Sequence, residues 1–134
     1  SDSIYILSDI KDTINMELNK IKKQINSIKQ RLLQIEEMRP GSLSKQYSVC
    51  GKKNCKCIDS KNPKKHGPYI QLSYVHQGKN TSRFIRHKFY KQVKFEVAQY
   101  KKFKLLTDQW IELSIKQSHL KIDQEKIMEA KMKS

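Results

Sequence analysis

Apolar residues recur at alternating steps of three and four from the start of the chain: Ile4, Leu7, then Ile14, Leu18, Ile21, Ile25, Ile28, Leu32 and Ile35. Lys11 is the interruption. Written as heptads, Ile4, Lys11, Leu18, Ile25 and Leu32 take the first core position, and Leu7, Ile14, Ile21, Ile28 and Ile35 take the second. The period predicts a helix over residues 4–38, and a stripe this narrow must be covered by other helices. Isoleucine at the second position with leucine at the first favours more than two strands in parallel assemblies, while a buried lysine helps to fix register. Arg39-Pro40-Gly41-Ser42 ends the arm, because proline lacks a backbone donor and biases the residue before it away from helical geometry.

From Phe89 the helical period returns through Val93, Val97, Tyr100, Phe103, Leu106, Trp110, Leu113, Leu120 and Ile127, with Gln117 and Gln124 filling core-spaced gaps. Nothing over residues 89–132 breaks a helix. An aromatic stripe at this spacing is core before it is a cofactor box, and Trp110 is read that way. Two arms of comparable length, about 50–60 Å by their rise per residue, most simply fold back on each other as an antiparallel pair.

Between the arms, over residues 39–88, no helical period survives. Every proline, glycine and cysteine of the chain lies in this span. Tyr69-Ile70-Gln71-Leu72-Ser73-Tyr74-Val75-His76 is rich in aromatic and branched residues, and Thr81-Ser82-Arg83-Phe84-Ile85-Arg86 follows after Gln77-Gly78-Lys79-Asn80. This predicts a β-hairpin, with glycine and asparagine supplying the positive-φ positions of its turn. The expected fold is thus mainly α with a small β-hairpin: two long antiparallel coiled-coil helices joined by a zinc-stapled basic head.

Charge sharpens this division. Lys and Arg number 6 in residues 1–38, 17 in 39–104 and 5 in 105–134, against 6, 2 and 5 acids, so the middle carries the whole formal excess of +15. Neutral arms around a cationic head suit a polyanion-facing module whose arms have another task. Ordinary solvated faces mix both signs, and this one does not. No run approaches the roughly 20 apolar residues that cross a bilayer, and no charged segment followed by an apolar one opens the chain. A cytoplasmic location without membrane attachment is expected. Ser1-Asp2-Ser3 opens the chain without a methionine and carries no weight here.

Candidate chemistry gathers in Cys50-Gly51-Lys52-Lys53-Asn54-Cys55-Lys56-Cys57, with His66-Gly67-Pro68-Tyr69 close behind. Three cysteines cannot pair fully, and two of them one residue apart make a strained disulfide, so a reducing compartment fits. A head with so little core needs a staple. Three soft thiolates suit tetrahedral Zn²⁺, which wants a fourth nitrogen or sulfur ligand. His66, just before the hairpin, is the first choice; Asp59, His76 and His87 are alternatives. Uncoordinated reduced thiols, or a redox thiol favoured by the neighbouring lysines, are the competing readings.

Arg39-Pro40-Gly41-Ser42-Leu43, the cysteine segment, His66-Gly67-Pro68-Tyr69, Gln77-Gly78-Lys79 and Tyr100-Lys101-Lys102-Phe103 together resemble a family of small, functionally uncharacterised prokaryotic proteins. The resemblance spans roughly residues 39–113. It implies a setting beside transposases and other mobile elements, and through that a leaning towards DNA.

The first functional expectation is a non-enzymatic nucleic-acid-binding module, with DNA favoured over RNA and duplex over single strands. The predicted contacts are Lys52, Lys53, Lys56, Lys64, Lys65, Lys79, Arg83, Arg86, Lys88 and Lys91. The aromatics Tyr69, Tyr74 and Phe84 offer stacking on unpaired bases or packing of the hairpin onto the second helix. The alternative is a coiled-coil assembly or adaptor protein that recruits a recombinase or another protein partner, with a purely structural zinc head. Under either reading the chain is a homo-oligomer. Catalysis is not expected: metal-dependent phosphodiester chemistry wants clustered carboxylates, and the head holds Asp59 alone.

Overall fold

The computed structural model describes residues 2–59, 61 and 63–133, and side chains from residue 5 onward, so Ile4 at the head of the first stripe lies outside the described side chains. Helix α1 spans Asp2–Leu33, strand β1 Ser42–Ser48, a single 3₁₀ turn Lys56–Ile58, strand β2 His66–His76, strand β3 Lys79–Ile85 and helix α2 His87–Lys133. By contacts the chain divides into two units, Ser1–Ile35 with Phe103–Ser134, and Glu36–Lys102.

In the first unit α1 buries Ile14, Ile21, Ile25 and Ile28, four of the predicted stripe. Burial of each contributes about 1.5–3 kcal/mol. The facing stripe of α2 runs from the buried Leu106 through the half-buried Trp110, Leu113, Gln117, Leu120, Gln124 and Ile127 at steps of four and three. Gln124 Nε2 donates to Asn15 Oδ1. Lys116 Nζ lies 3.7 Å from Glu17 Oε2, and Lys29 Nζ sits 5.3 Å from the Trp110 ring centre. Low numbers meet high ones, so the two segments run antiparallel. α1 stops at Leu33, five residues short of the predicted end at 38. Its last carbonyls are taken by tighter bonds, Gln34 N to Arg31 O and Ile35 N to Leu32 O, both 3.1 Å.

The second unit corrects the expected hairpin: the sheet has three antiparallel strands in the order β1-β2-β3. β1 pairs Leu43 with Leu72 and Lys45 with Ile70, and β2 pairs Leu72 with Arg83 and Ile70 with Ile85. β1 escaped prediction because, as an edge strand, it turns only Leu43 partly inward and exposes the rest. Gln77 and Gly78 both have positive φ, 51° and 76°, the backbone of a two-residue hairpin turn. Leu72, fully buried, packs with Val93 and Val97 of α2, and Leu43, Tyr74 and Ile85 close round them.

Phe89 departs from the predicted stripe. It is 41% exposed, outside the cluster that begins one turn later at Val93, and Lys88 Nζ lies 5.3 Å from its ring centre. The linker between α1 and β1 is fastened to α2 instead. The Glu36 N–H donates to Oε1 of the buried Gln99 at 3.0 Å, and the Arg39 N–H donates to Glu96 O at 3.2 Å. The Arg39 guanidinium lies 5.0 Å from the Tyr74 ring centre.

Two motif glycines are explained by backbone approach. Gly41 has φ +153°, and a Cβ there would meet Leu72 Cδ1 at 2.5 Å. Gly67 has φ +127°, and a Cβ there would stand 2.7 Å from the Gln46 carbonyl oxygen, beside the register shift between Gln46 and Ser48. A side chain at either position collides with the sheet. Among the described residues no helix is long and apolar enough to cross a membrane.

Candidate metal centre

The loop from β1 to β2 starts and ends on neighbouring strands, because Ser48 pairs with His66. That pairing brings the imidazole at the head of β2 back to the cysteines. The 3₁₀ turn at Lys56–Ile58 carries Cys57 inward to 2% exposure, and a bond from the Lys64 N–H to Lys56 O, 2.9 Å, closes the return path.

The three Sγ atoms and a ring nitrogen of His66 lie within 4.8 Å of one another. Cys50 Sγ is 3.5 Å from Cys57 Sγ, and Cys55 Sγ is 3.1 Å from His66 Nε2. Tetrahedral zinc with bonds of about 2.3 Å to sulfur and 2.0–2.1 Å to nitrogen spaces its ligand atoms about 3.5–3.8 Å apart. The four donors are thus gathered to nearly the separation one ion demands, and this Cys₃His group could hold a metal ion. The backbone N–H of Cys50 donates to Cys57 Sγ at 3.3 Å, a contact that also supports a charged sulfur bound to metal.

The thiols are not equivalent. A backbone N–H of Cys57 first, then the Cys50 and Cys57 side chains, pull the Cys55 thiol down to about 6, against an opposing desolvation. Burial pushes the Cys57 thiol up. Negative charge therefore settles first on Cys55, the sulfur beside the imidazole.

The alternative ligands stand elsewhere. Asp59 Oδ1 accepts from the Lys61 N–H at 3.0 Å. His76 lies at the other end of β2, about 33 Å along the strand from His66 at the usual rise per residue. His87 Nε2 is 3.1 Å from Pro68 O, tying the start of α2 to the start of β2. Sequence reasoning had no signal for that last contact.

All ten predicted nucleic-acid contacts are exposed. The structure gathers some of them and separates others. Lys52, Lys53, Lys56, Lys64 and Lys65 belong to the cysteine loop, and Arg86, Lys88 and Lys91 to the β3–α2 junction and first turns of α2, which begin opposite the same end of β2. Lys79 stands at the far turn, paired with His76, and Arg83 faces the same side of the sheet as Leu72. The ion pairs Lys104–Asp108 and Glu17–Lys116 both lie outside residues 36–102 and involve none of these ten cations.

Fold and site together define a small three-stranded sheet with a Cys₃His group, preceded in the chain by one long helix and followed by another. Residues 18–94 match the family described as a domain of unknown function, DUF6788, and since this is more than half of the 134 residues the chain belongs to that family. No curated protein and no solved structure matches the chain.

Proposed function

We propose that the chain is a non-enzymatic, zinc-stapled DNA-binding protein whose helical arms form a coiled coil that joins copies of it. The observation that carries this reading is the cationic excess of residues 39–104, 17 cations against 2 acids, with Lys52, Lys53, Lys56, Lys64, Lys65, Arg86 and Lys88 exposed towards the Cys₃His end of the sheet. Such a surface repels itself unless a polyanion covers it. Zinc is the metal this donor set suits, three thiolates and one imidazole with no place for a fifth ligand in the tetrahedral arrangement. Its task is structural: it keeps the loop lysines in register with Arg86 and Lys88. Duplex DNA is the favoured polymer, held through phosphates by these cations. A cytoplasmic setting with reduced thiols goes with this reading.

An assembly role is the second reading, supported by a separate observation. α2 exposes Ile111, Ile115 and Ile122, each more than half accessible, on the face opposite its buried stripe. An apolar row on a near-neutral arm suits another copy of the chain or a protein partner such as a mobile-element recombinase. Titration of labelled duplex DNA with the purified protein, with and without chelator, tests the first reading. Binding that weakens on chelation supports it, and absence of binding near 50 mM salt refutes it.

A further inference from the structure

The two faces of the sheet differ in a way the distribution of charge does not predict. Residues Ile70, Leu72 and Tyr74 face α2, so their neighbours in β2 face away from it. On that open side, register aligns Ser42, Ser73 and Ser82 in one row and Ser44, Gln71 and Phe84 in the next. Tyr69, opposite Gln46, begins the row after that. No residue that register places on this face carries a formal charge at neutral pH, although the surrounding segment is the most cationic of the chain.

Tyr69 and Phe84 are diagonal cross-strand neighbours, with ring centroids 6.2 Å apart and planes at 68°. They are 45% and 67% exposed. A cross-strand aromatic pair stabilises its sheet through the contact between the rings. Here the edge-on contact covers at most one ring face and leaves the others to solvent. Tyr74, the third aromatic of the hairpin, is on the covered side against Arg39. The aromatic pair lies near the end of β2 where Lys64 and Lys65 precede His66, and Arg86 directly follows β3.

We infer that this open face is a stacking platform for unpaired bases of single-stranded DNA, with Phe84 and Tyr69 taking the base planes. Gln71 and the hydroxyls of Ser73 and Ser82, which are 3.1 Å apart, offer neutral donors and acceptors to base edges. The cations at the cluster end take the phosphates on either side. An uncharged strip inside a cationic surface complements the alternation of a nucleic-acid strand, whose bases are neutral and whose backbone is anionic. The inference rests on the DNA-binding reading and adds to it a site for bases wherever the bound DNA is opened.

Three labelled DNA probes of about 12 nucleotides or base pairs separate the two claims: a thymidine strand, a strand of the same length with abasic sites at its centre, and a duplex. The strands carry the same charge and differ only in bases. The full chain is expected to bind the thymidine strand about tenfold tighter than the abasic one. Phe84→Ala and Tyr69→Ala each remove most of that ratio while leaving duplex binding unchanged, and Phe84→Trp keeps it. Equal affinity for the two strands, or a ratio indifferent to both alanine variants, overturns the platform and leaves the cationic surface standing. Failure to bind any probe overturns both. Tighter binding of a uridine RNA strand than of thymidine overturns the assignment to DNA.

Discussion

Stripping metal from the Cys₃His group is expected to loosen residues 36–102 while leaving the arms helical. Apart from Cys57, the buried apolar side chains described in that unit are Ile70, Leu72, Val93 and Val97. At about 1.5–3 kcal/mol each they supply roughly 6–12 kcal/mol, little for a sheet that must also order a long cysteine loop. A metal present at about a hundred times its dissociation constant adds about 2.7 kcal/mol. In a unit of this size each kcal/mol moves the midpoint by about 4–8 °C, so chelation should lower the melting of the sheet by roughly 10–20 °C. Circular dichroism reports mainly α1 and α2, so the informative assay is amide hydrogen exchange at Ile70 and Leu72 of β2, with and without chelator. Cys57→Ser removes the most buried ligand, and Cys55→Ser, at a half-exposed position, controls for simple core damage. Both should mimic chelation. Protein that carries less than about half an equivalent of metal, with freely titratable thiols and unchanged β2 protection, would refute the staple.

Combined reversal of Lys52, Lys53, Arg83 and Arg86 to Glu should weaken duplex binding by well over about tenfold in a gel-shift titration, because each lost phosphate contact removes its counterion release. Its sedimentation behaviour should stay that of the native chain. Lys in place of Ile111 and Ile115 should reduce the assembly state seen by light scattering without lowering helical ellipticity; an unchanged mass would exclude that face as the contact between copies. Gly67→Ala should destabilise the sheet by about 1–3 kcal/mol in a denaturant melt, since its backbone lies in a region that side chains rarely adopt and its Cβ meets the Gln46 carbonyl.

The helical stripes were readable because burial imposes a period: Ile14, Ile21, Ile25 and Ile28 on α1, and the positions from Leu106 to Ile127 on α2, each follow steps of three and four. The association of His66 with the cysteines was readable from chemistry and proximity, and the pairing of Ser48 with His66 supplies its geometric basis. β1 was not readable. A strand with Leu43 as its one partly buried side chain shows no alternation of apolar and polar residues, and it is held by pairing to β2 rather than by its own burial. Phe89 fits the helical period yet stays exposed, because periodicity describes a face and not where along the helix its cover begins. The side of the sheet that Tyr69, Tyr74 and Phe84 each occupy depends on strand register, which composition does not determine.

The cationic head is proposed to bind DNA through phosphates. Duplex affinity measured across salt tests it most directly. If about six phosphates are neutralised, log K falls against log salt with a slope near −5, and chelation reduces the affinity at every salt concentration. Absence of measurable binding near 50 mM salt, or an affinity that does not change with salt, would contradict it.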